Sequence, residues 1–240
     1  MPRSDLIDKV TGKARYTEDI AVPDMLEGRI LHSTRPHANF KSIYTSAAEQ
    51  VPGVVAVITH KDLPPDRFSR STMAEALPDW AFAFERQDQF ILSEKARYIG
   101  DCIAAVAAET IEAAEQALAL ITVEYEDLPA VFDPLAALER DAPQIHPDVD
   151  GNVALDANYA YNKGDVEAAF RAAEATVEFS GSTSRQKHFH LEIDAAIAWW
   201  STDGRLHIIS PSQGPHLARR HFAKRVFPDL SEGQIQWESP

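Results

Sequence analysis

A chain of 240 residues is long enough for one large domain or two small ones, each with a real buried core. Its 23 Lys and Arg against 37 Asp and Glu leave a net charge of −14, so nucleic acid and anionic membrane are poor partners. The single cysteine, Cys102, excludes a disulfide or an iron–sulfur cluster held by this chain alone, and its setting (CIAAVAA) reads as a buried small hydrophobe.

In chain order, Val10 to Ile20 reads as a turn at Thr11-Gly12 and a short polar segment, and Met25 to His32 as a strand. Tyr44 to Gln50 predicts a short helix capped by Thr45 or Ser46. Pro52-Gly53 breaks it. Val54 to Thr59 is a β-branched run of the kind found in interior strands. Leu63 to Arg86, rich in Pro, Asp and Arg, reads as an irregular excursion. Ala96 to Ala108 predicts a strand pair or one long bent strand around Gly100-Asp101. The strongest helix is Thr110 to Leu120: Thr110 caps it, Glu112 suits the positive end of the dipole, and Ile111, Ala114, Leu118 and Ile121 form its apolar stripe. A strand, Ile121 to Tyr125, comes next, closing a compact α/β unit near Leu128-Pro129. Asp133 to Asn158, with three prolines and a helical piece at Pro134 to Arg140, reads as a connector.

The second half opens with a helix, Gly164 to Ala173, capped by Asp165 with Val166, Ala169 and Phe170 facing inward. Ala175 to Thr183 reads as a strand. His188, His190 and Glu192 then recur at i, i+2 and i+4, a spacing that shares one face of an extended strand. Ala195 to Trp200 suits a buried strand. Asp203-Gly204 is a hairpin signal, and Arg205 to Ser210 returns to deliver Ser212 and Gln213 to the strand's end. Pro215 to Phe227 predicts an amphipathic helix with Leu217, Phe222 and Val226 on one side and Arg219, Arg220 and Lys224 mostly on the other. Gln234 to Glu238 reads as a last short strand. Two imidazoles and a carboxylate could hold a metal ion, but histidines beside aromatic residues usually pack and hydrogen-bond instead.

A resemblance supplies the other reading. Gln186-x-His188-x-x-Leu191-Glu192, a hairpin, and Ser212-Gln213-x-Pro215 resemble the large subunit of the molybdenum hydroxylases, the xanthine dehydrogenase and aldehyde oxidase family. KVTGKARYTEDI, PGVVAVITHKDLP, ARYIGDCIAAVAAET and VEYEDLPAVFD resemble the hammerhead α/β domain of the same subunit, in the right order. The fold class this implies is α/β (α+β): a hammerhead-type domain over residues 1–132, a connector over 133–158, and over 159–240 the beginning of a molybdopterin-binding domain.

The resemblance implies that Gln213 faces the molybdenum-molybdopterin cofactor, donating a hydrogen bond to an oxo group, with Gln186, His188 and Glu192 as supporting residues around it. It implies no side-chain ligand to the metal. Activity would be oxidation of a heterocycle or aldehyde with water-derived oxygen, electrons passing to iron–sulfur and FAD modules on partner subunits. The glycine-rich cofactor loop and the glutamate general base of the family are not found in these 240 residues, so a remainder of the large subunit or a complementary subunit is an expected partner, besides a small-molecule substrate, and the chain alone is expected to be inactive. The alternatives are a non-catalytic assembly or binding module and a stand-alone metalloenzyme using His188, His190 and Glu192. The opening MPRSDLIDK lacks the apolar core of a signal peptide, and no run approaches the ~20 apolar residues of a membrane span. A cytoplasmic location is expected.

Overall fold

The computed structural model describes residues 5–64, 68, 87–153 and 163–240. Most of the Leu63 to Arg86 excursion, and the connector's end at 158, lie outside the described residues. Among the described residues, three three-stranded sheets carry the strands.

Sheet one is antiparallel, β1 (Glu27–His32), β5 (Cys102–Ala108) and β3 (Val54–Thr59), in the order β1-β5-β3. The β-branched run Val54–Thr59 is therefore an edge strand, not an interior one. The alanine-rich β5 takes the centre, pairing with β1 on one side and β3 on the other. Helices α1 (Leu6–Val10) and α2 (Ser46–Glu49) are short. α2 starts after Thr45 as expected, but the Thr45 hydroxyl donates to the Glu49 carboxylate at 2.6 Å instead of capping the backbone. The helix over β5 is α3 (Ile111–Leu120), whose N-cap Thr110 accepts a hydrogen bond from the Ala113 N–H at 3.1 Å. Its buried face is Ala113, Ala114 and Ala117, while Ile111 of the expected stripe is 41 % exposed. Ile103, Ala104, Val106 and Ala108 of β5 meet this face and complete the core with Val51 and Ile121.

Sheet two is β4 (Lys95–Ala96), β2 (Ala38–Tyr44) and β6 (Thr122–Asp127), also antiparallel, in the order β4-β2-β6. The strand Ala38–Tyr44 escapes the sequence reading because ANFKSIY has no clean alternation. Residues 96–108 are two strands in two sheets. Gly100, at φ +99, turns the chain between them, and Asp101 holds the corner from a buried position: its carboxylate accepts from the Ser93 hydroxyl at 2.5 Å and from the Arg97 N–H at 3.1 Å. Cys102, expected to be buried, is only partly so. His37 is 3 % exposed, and its Nδ1 lies 2.6 Å from the Pro129 carbonyl where the chain leaves this unit. Burial pushes its pKa down; the hydrogen bond to Pro129 opposes this, and the nearby Lys95 and Arg97 add to the lowering.

The helical piece expected at Pro134 to Arg140 is a single 3-10 turn, Ala136–Leu138. Asn152 ties the connector together, accepting from the Ile145 N–H and donating to the Ala137 and Pro143 carbonyls.

Sheet three carries the second half: β7 (Ile197–Trp200), β8 (Leu206–Ile209) and β9 (Ile235–Glu238). β7 and β8 form the expected hairpin, with Gly204 at φ +80 in its turn. Ahead of it, helix α4 (Val166–Ala172) forms, with the Asp165 carboxylate accepting from the Ala168 N–H at 2.8 Å. β9 runs parallel to β8, the crossover being α5 (Pro215–His221) and a π-helical turn, Phe222–Val226, closed by the Phe227 N–H on the Phe222 carbonyl at 2.9 Å. The buried face of the crossover is Ala218, His221 and Ala223. The expected facing residues Leu217, Phe222 and Val226 are only partly buried.

Two expectations fail ahead of this sheet. On α4, Val166 and Phe170 are 50 % and 63 % exposed and Ala169 is exposed, because no element among the described residues packs on that face. Ala175 to Thr183 is not a strand. From Ala173 to Ala196 the chain joins no sheet among the described residues, and an extended segment without a ladder partner leaves its backbone hydrogen bonds to water.

Candidate functional site

Parallel strands joined by a helix create a particular corner: the carboxyl ends of the strands and the amino end of the helix come together. Here that corner is the segment Ser210 to Pro215. Ser210 donates its N–H to the Glu238 carbonyl at 3.0 Å, continuing the β8–β9 pairing by one residue. Ser212 is then held from both sides by Ser239: its N–H donates to the Ser239 Oγ at 2.9 Å, and the Ser239 hydroxyl lies 3.2 Å from the Ser212 carbonyl. The Ser212 Oγ accepts from the Gly214 N–H at 3.1 Å, a serine turn with Gln213 at its apex. Pro215 starts α5 without losing a needed donor, and the first helical bond, Ala218 N–H to Gly214 carbonyl, measures 2.9 Å. Gln213 is exposed.

Such a turn is a rigid mount for a side-chain amide. Gln213 offers two N–H donors and one carbonyl acceptor with no charge of its own. It can donate to an anionic oxygen without competing for a metal ion, whereas a carboxylate there would repel the same ligand.

The residues upstream are arranged differently from the sequence expectation. His188, His190 and Glu192 are exposed and on no strand. Phe189 between the two histidines has φ +54, which breaks the extended alternation that would set all three on one face. The imidazoles stack on each other instead, 5.5 Å apart with planes 8° from parallel. Gln186 donates its amide N–H to the Ser184 Oγ at 3.0 Å. Among the described residues no group of three or more His, Cys, Asp or Glu side chains is placed to hold a metal ion, so the three are not assembled as ligands here.

Ser239 is the residue that sequence reasoning missed. The Ser-x-Gly-Pro order signals the turn locally, but nothing in the sequence ties Ser212 to a serine 27 positions away. Only the parallel register of β8 and β9 does.

Both halves of the chain are similar to known proteins. Residues 11–129 match the family described as "Aldehyde oxidase and xanthine dehydrogenase, a/b hammerhead domain", and residues 145–240 match the "Molybdopterin cofactor-binding domain". The chain is 37 % identical over 234 residues to a probable xanthine dehydrogenase subunit of Bacillus subtilis, covering 98 % of this chain and 29 % of that protein. It is 34 % identical over 220 residues to the nicotinate dehydrogenase large molybdopterin subunit of Eubacterium barkeri, covering 91 % of this chain and 48 % of that one. The solved aldehyde oxidoreductase of Desulfovibrio gigas superposes with a TM-score of 0.80 at 32 % identity, over 99 % of this chain and 26 % of that one. The chain thus spans between about a quarter and a half of the length of these relatives. Among the described residues no helix is long and apolar enough to cross a membrane.

Proposed function

Because the chain belongs to the aldehyde oxidase and xanthine dehydrogenase family, we propose that it serves as part of the large subunit of a molybdenum hydroxylase and contributes Gln213 to the cofactor site. The observation that carries this reading is the corner at Ser210 to Pro215: the carboxyl ends of β8 and β9 and the start of α5 meet at a turn clamped by Ser239, with Gln213 at its tip. The residues fit the cofactor chemically, since an uncharged donor on a fixed turn suits an oxygen- and sulfur-rich anionic group. When bound, the molybdenum-molybdopterin group supplies two-electron oxidation chemistry. Gln213 would donate an amide N–H toward it, while Ser212 and Ser239 keep that amide from swinging away. The substrate class is a heterocycle or aldehyde, oxidised with water-derived oxygen. Electrons leave toward iron–sulfur and FAD modules on partner subunits, and the setting is cytoplasmic.

The division of labour tracks the two halves. Residues 1–132 form the hammerhead-type unit, 133–158 the connector, and 159–240 the first part of the molybdopterin-binding region. A complementary segment of the large subunit, or a separate subunit, would cover α4 and residues 173–196, where Val177, Phe179 and Leu191 are 91 %, 90 % and 101 % exposed. Gln186, His188 and Glu192 lie on that stretch, and their supporting role would arise only when it is covered.

The test is made on the purified holo-assembly containing this chain, with molybdenum content measured for each variant. Gln213→Ala is expected to lower turnover by roughly ten- to a hundredfold, about 1.4–2.8 kcal/mol of transition-state stabilisation, with molybdenum content nearly unchanged. Gln213→Glu is expected to be worse, because it sets a negative charge against an anionic group. Full turnover in Gln213→Ala, together with metal loss in His188→Ala or His190→Ala, would replace this reading with a histidine-ligand site. The chain by itself is expected to retain no molybdenum, since one hydrogen bond of about 1–3 kcal/mol is too little to hold the cofactor.

A further inference from the structure

Phe68, on the excursion that begins at Leu63, reaches from the first half to the second. Its ring lies 6.2 Å from that of His221 with the planes 68° apart, an edge-to-face pair. We propose that Phe68 is a positioning residue: through His221 and α5 it sets where the Gln213 turn lies relative to the first half. This role deepens the reading of Gln213 as a cofactor-facing residue and rests on it.

On the first-half side, Phe68 donates its N–H to the Gln89 carbonyl at 2.9 Å and its own carbonyl accepts from the Gln89 N–H at 3.0 Å, a closed antiparallel pair. Gln89 leads into Leu92 and Ser93, 5 % and 2 % exposed. Ser93 donates its N–H to the Cys102 carbonyl at 2.7 Å and its hydroxyl to the Asp101 carboxylate at 2.5 Å. The Phe68 backbone is thereby tied to the start of β5. On the second-half side, His221 is 6 % exposed and is the last residue of α5. A ring packed that closely has little room to move away from its neighbour. α5 is a single helical segment about 10 Å long. Its first bond, from the Ala218 N–H to the Gly214 carbonyl, closes on the residue after Gln213. Gly214 therefore separates Gln213 from a stiff rod whose far end touches Phe68.

The ion pairs of Arg219 and Arg220 with Glu232, at 4.0 and 3.4 Å, also hold α5. They join parts of the second half to each other, so they cannot fix its corner relative to the first half. They are also partly exposed, where such pairs contribute little. The Phe68–His221 pair can bias the seat of α5 only by what the contact itself is worth, about two- to tenfold in an equilibrium. Losing it has the same ceiling.

Two measurements test this, one on the full chain without cofactor and one on the holo-assembly. In the full chain, Phe68→Leu should speed amide exchange at Ala218 by about two- to tenfold, while Ala114 in α3 exchanges as before. Phe68→Tyr, which keeps the ring, should behave as the parent does. In the holo-assembly, Phe68→Leu should lower kcat by a similar factor at unchanged molybdenum content. Combined with Gln213→Ala it should add no further loss, because a residue that acts through Gln213 then has nothing left to position. Phe68→Met, also without a ring, takes its place if Phe68→Leu does not assemble. Equal losses of kcat with and without the Gln213 side chain would mark a merely structural contact and overturn the proposal. So would unchanged exchange at Ala218. Full turnover in Gln213→Ala alone would instead sink the cofactor reading, and the positioning role with it, whatever the exchange at Ala218 shows.

Discussion

The two halves of this chain bury their apolar residues to very different degrees. In the first, β5 is covered by α3 on one face and flanked by β1 and β3, and Ile103, Ala104, Ala108, Ala114 and Ala117 are fully buried. In the second, a small cluster of Leu206, Ile208, Ala223 and Ile235 sits under the crossover helix, while Val177, Phe179, Phe189 and Leu191 stand almost fully in solvent. Large apolar side chains left this exposed gain nothing from burial within the described residues. The first half holds most of the buried apolar side chains; the second holds the turn that carries Gln213 and leaves several large apolar side chains exposed.

The largest effect expected from this contrast is at Ile103. Truncation to alanine leaves a cavity at the centre of the covered sheet, so Ile103→Ala should destabilise the first half by about 2–5 kcal/mol in urea unfolding. The same truncation at Leu191 should change little. Comparable losses at both sites would mean that residues 173–196 are packed in solution.

A pH-dependent loss is expected next, at His37. Its folded pKa lies below the ordinary value of 6.5, so below that pH the unfolded chain binds a proton that the folded one refuses. The His37 contribution is complete above about pH 6.5 and is lost progressively as the pH falls toward its folded pKa. Urea midpoints of the first half should therefore drop between about pH 7 and pH 5, and His37→Gln should flatten that part of the slope. An unchanged slope would remove His37 as the cause.

At Thr110 the expected loss is smaller. Thr110→Ala removes the acceptor for the Ala113 N–H and should cost about 1 kcal/mol of stability, the usual worth of a helix N-cap. Smallest of all, His188→Ala and His190→Ala should stay within about 0.5 kcal/mol of the parent in the chain alone, since both rings are exposed. A larger loss in thermal unfolding would show that residues 173–196 are packed after all.

Much of the fold is legible in local signals. Thr110 before an alanine-rich run, Asp165 before α4, and Asp203-Gly204 between two apolar runs act through neighbouring backbone groups. The helix, both caps and the hairpin stand where those residues put them. Periodicity is a poorer guide to burial. The continuous run Val54–Thr59 suggests an interior strand, yet alanine-rich β5 occupies the centre, because it is the strand that pairs with both β1 and β3.

The candidate site divides along the same line. Gln213, at the end of a strand and two residues before a helix-starting proline, can be singled out from the sequence and its resemblance. Its clamp cannot: Ser239 meets Ser212 only because β9 lies parallel to β8, a pairing between residues 27 positions apart. The i, i+2, i+4 spacing of His188, His190 and Glu192 is real in sequence but needs a strand to become a common face. A strand needs a partner, no sheet among the described residues takes that segment in, and Phe189 turns the chain out of the extended form. By itself, then, the sequence determined the locally bonded elements and the candidate residue at the corner. Which strand lies at the centre, what clamps that residue, and which apolar face stays open were decided by tertiary structure, since each depends on pairing between segments distant along the chain.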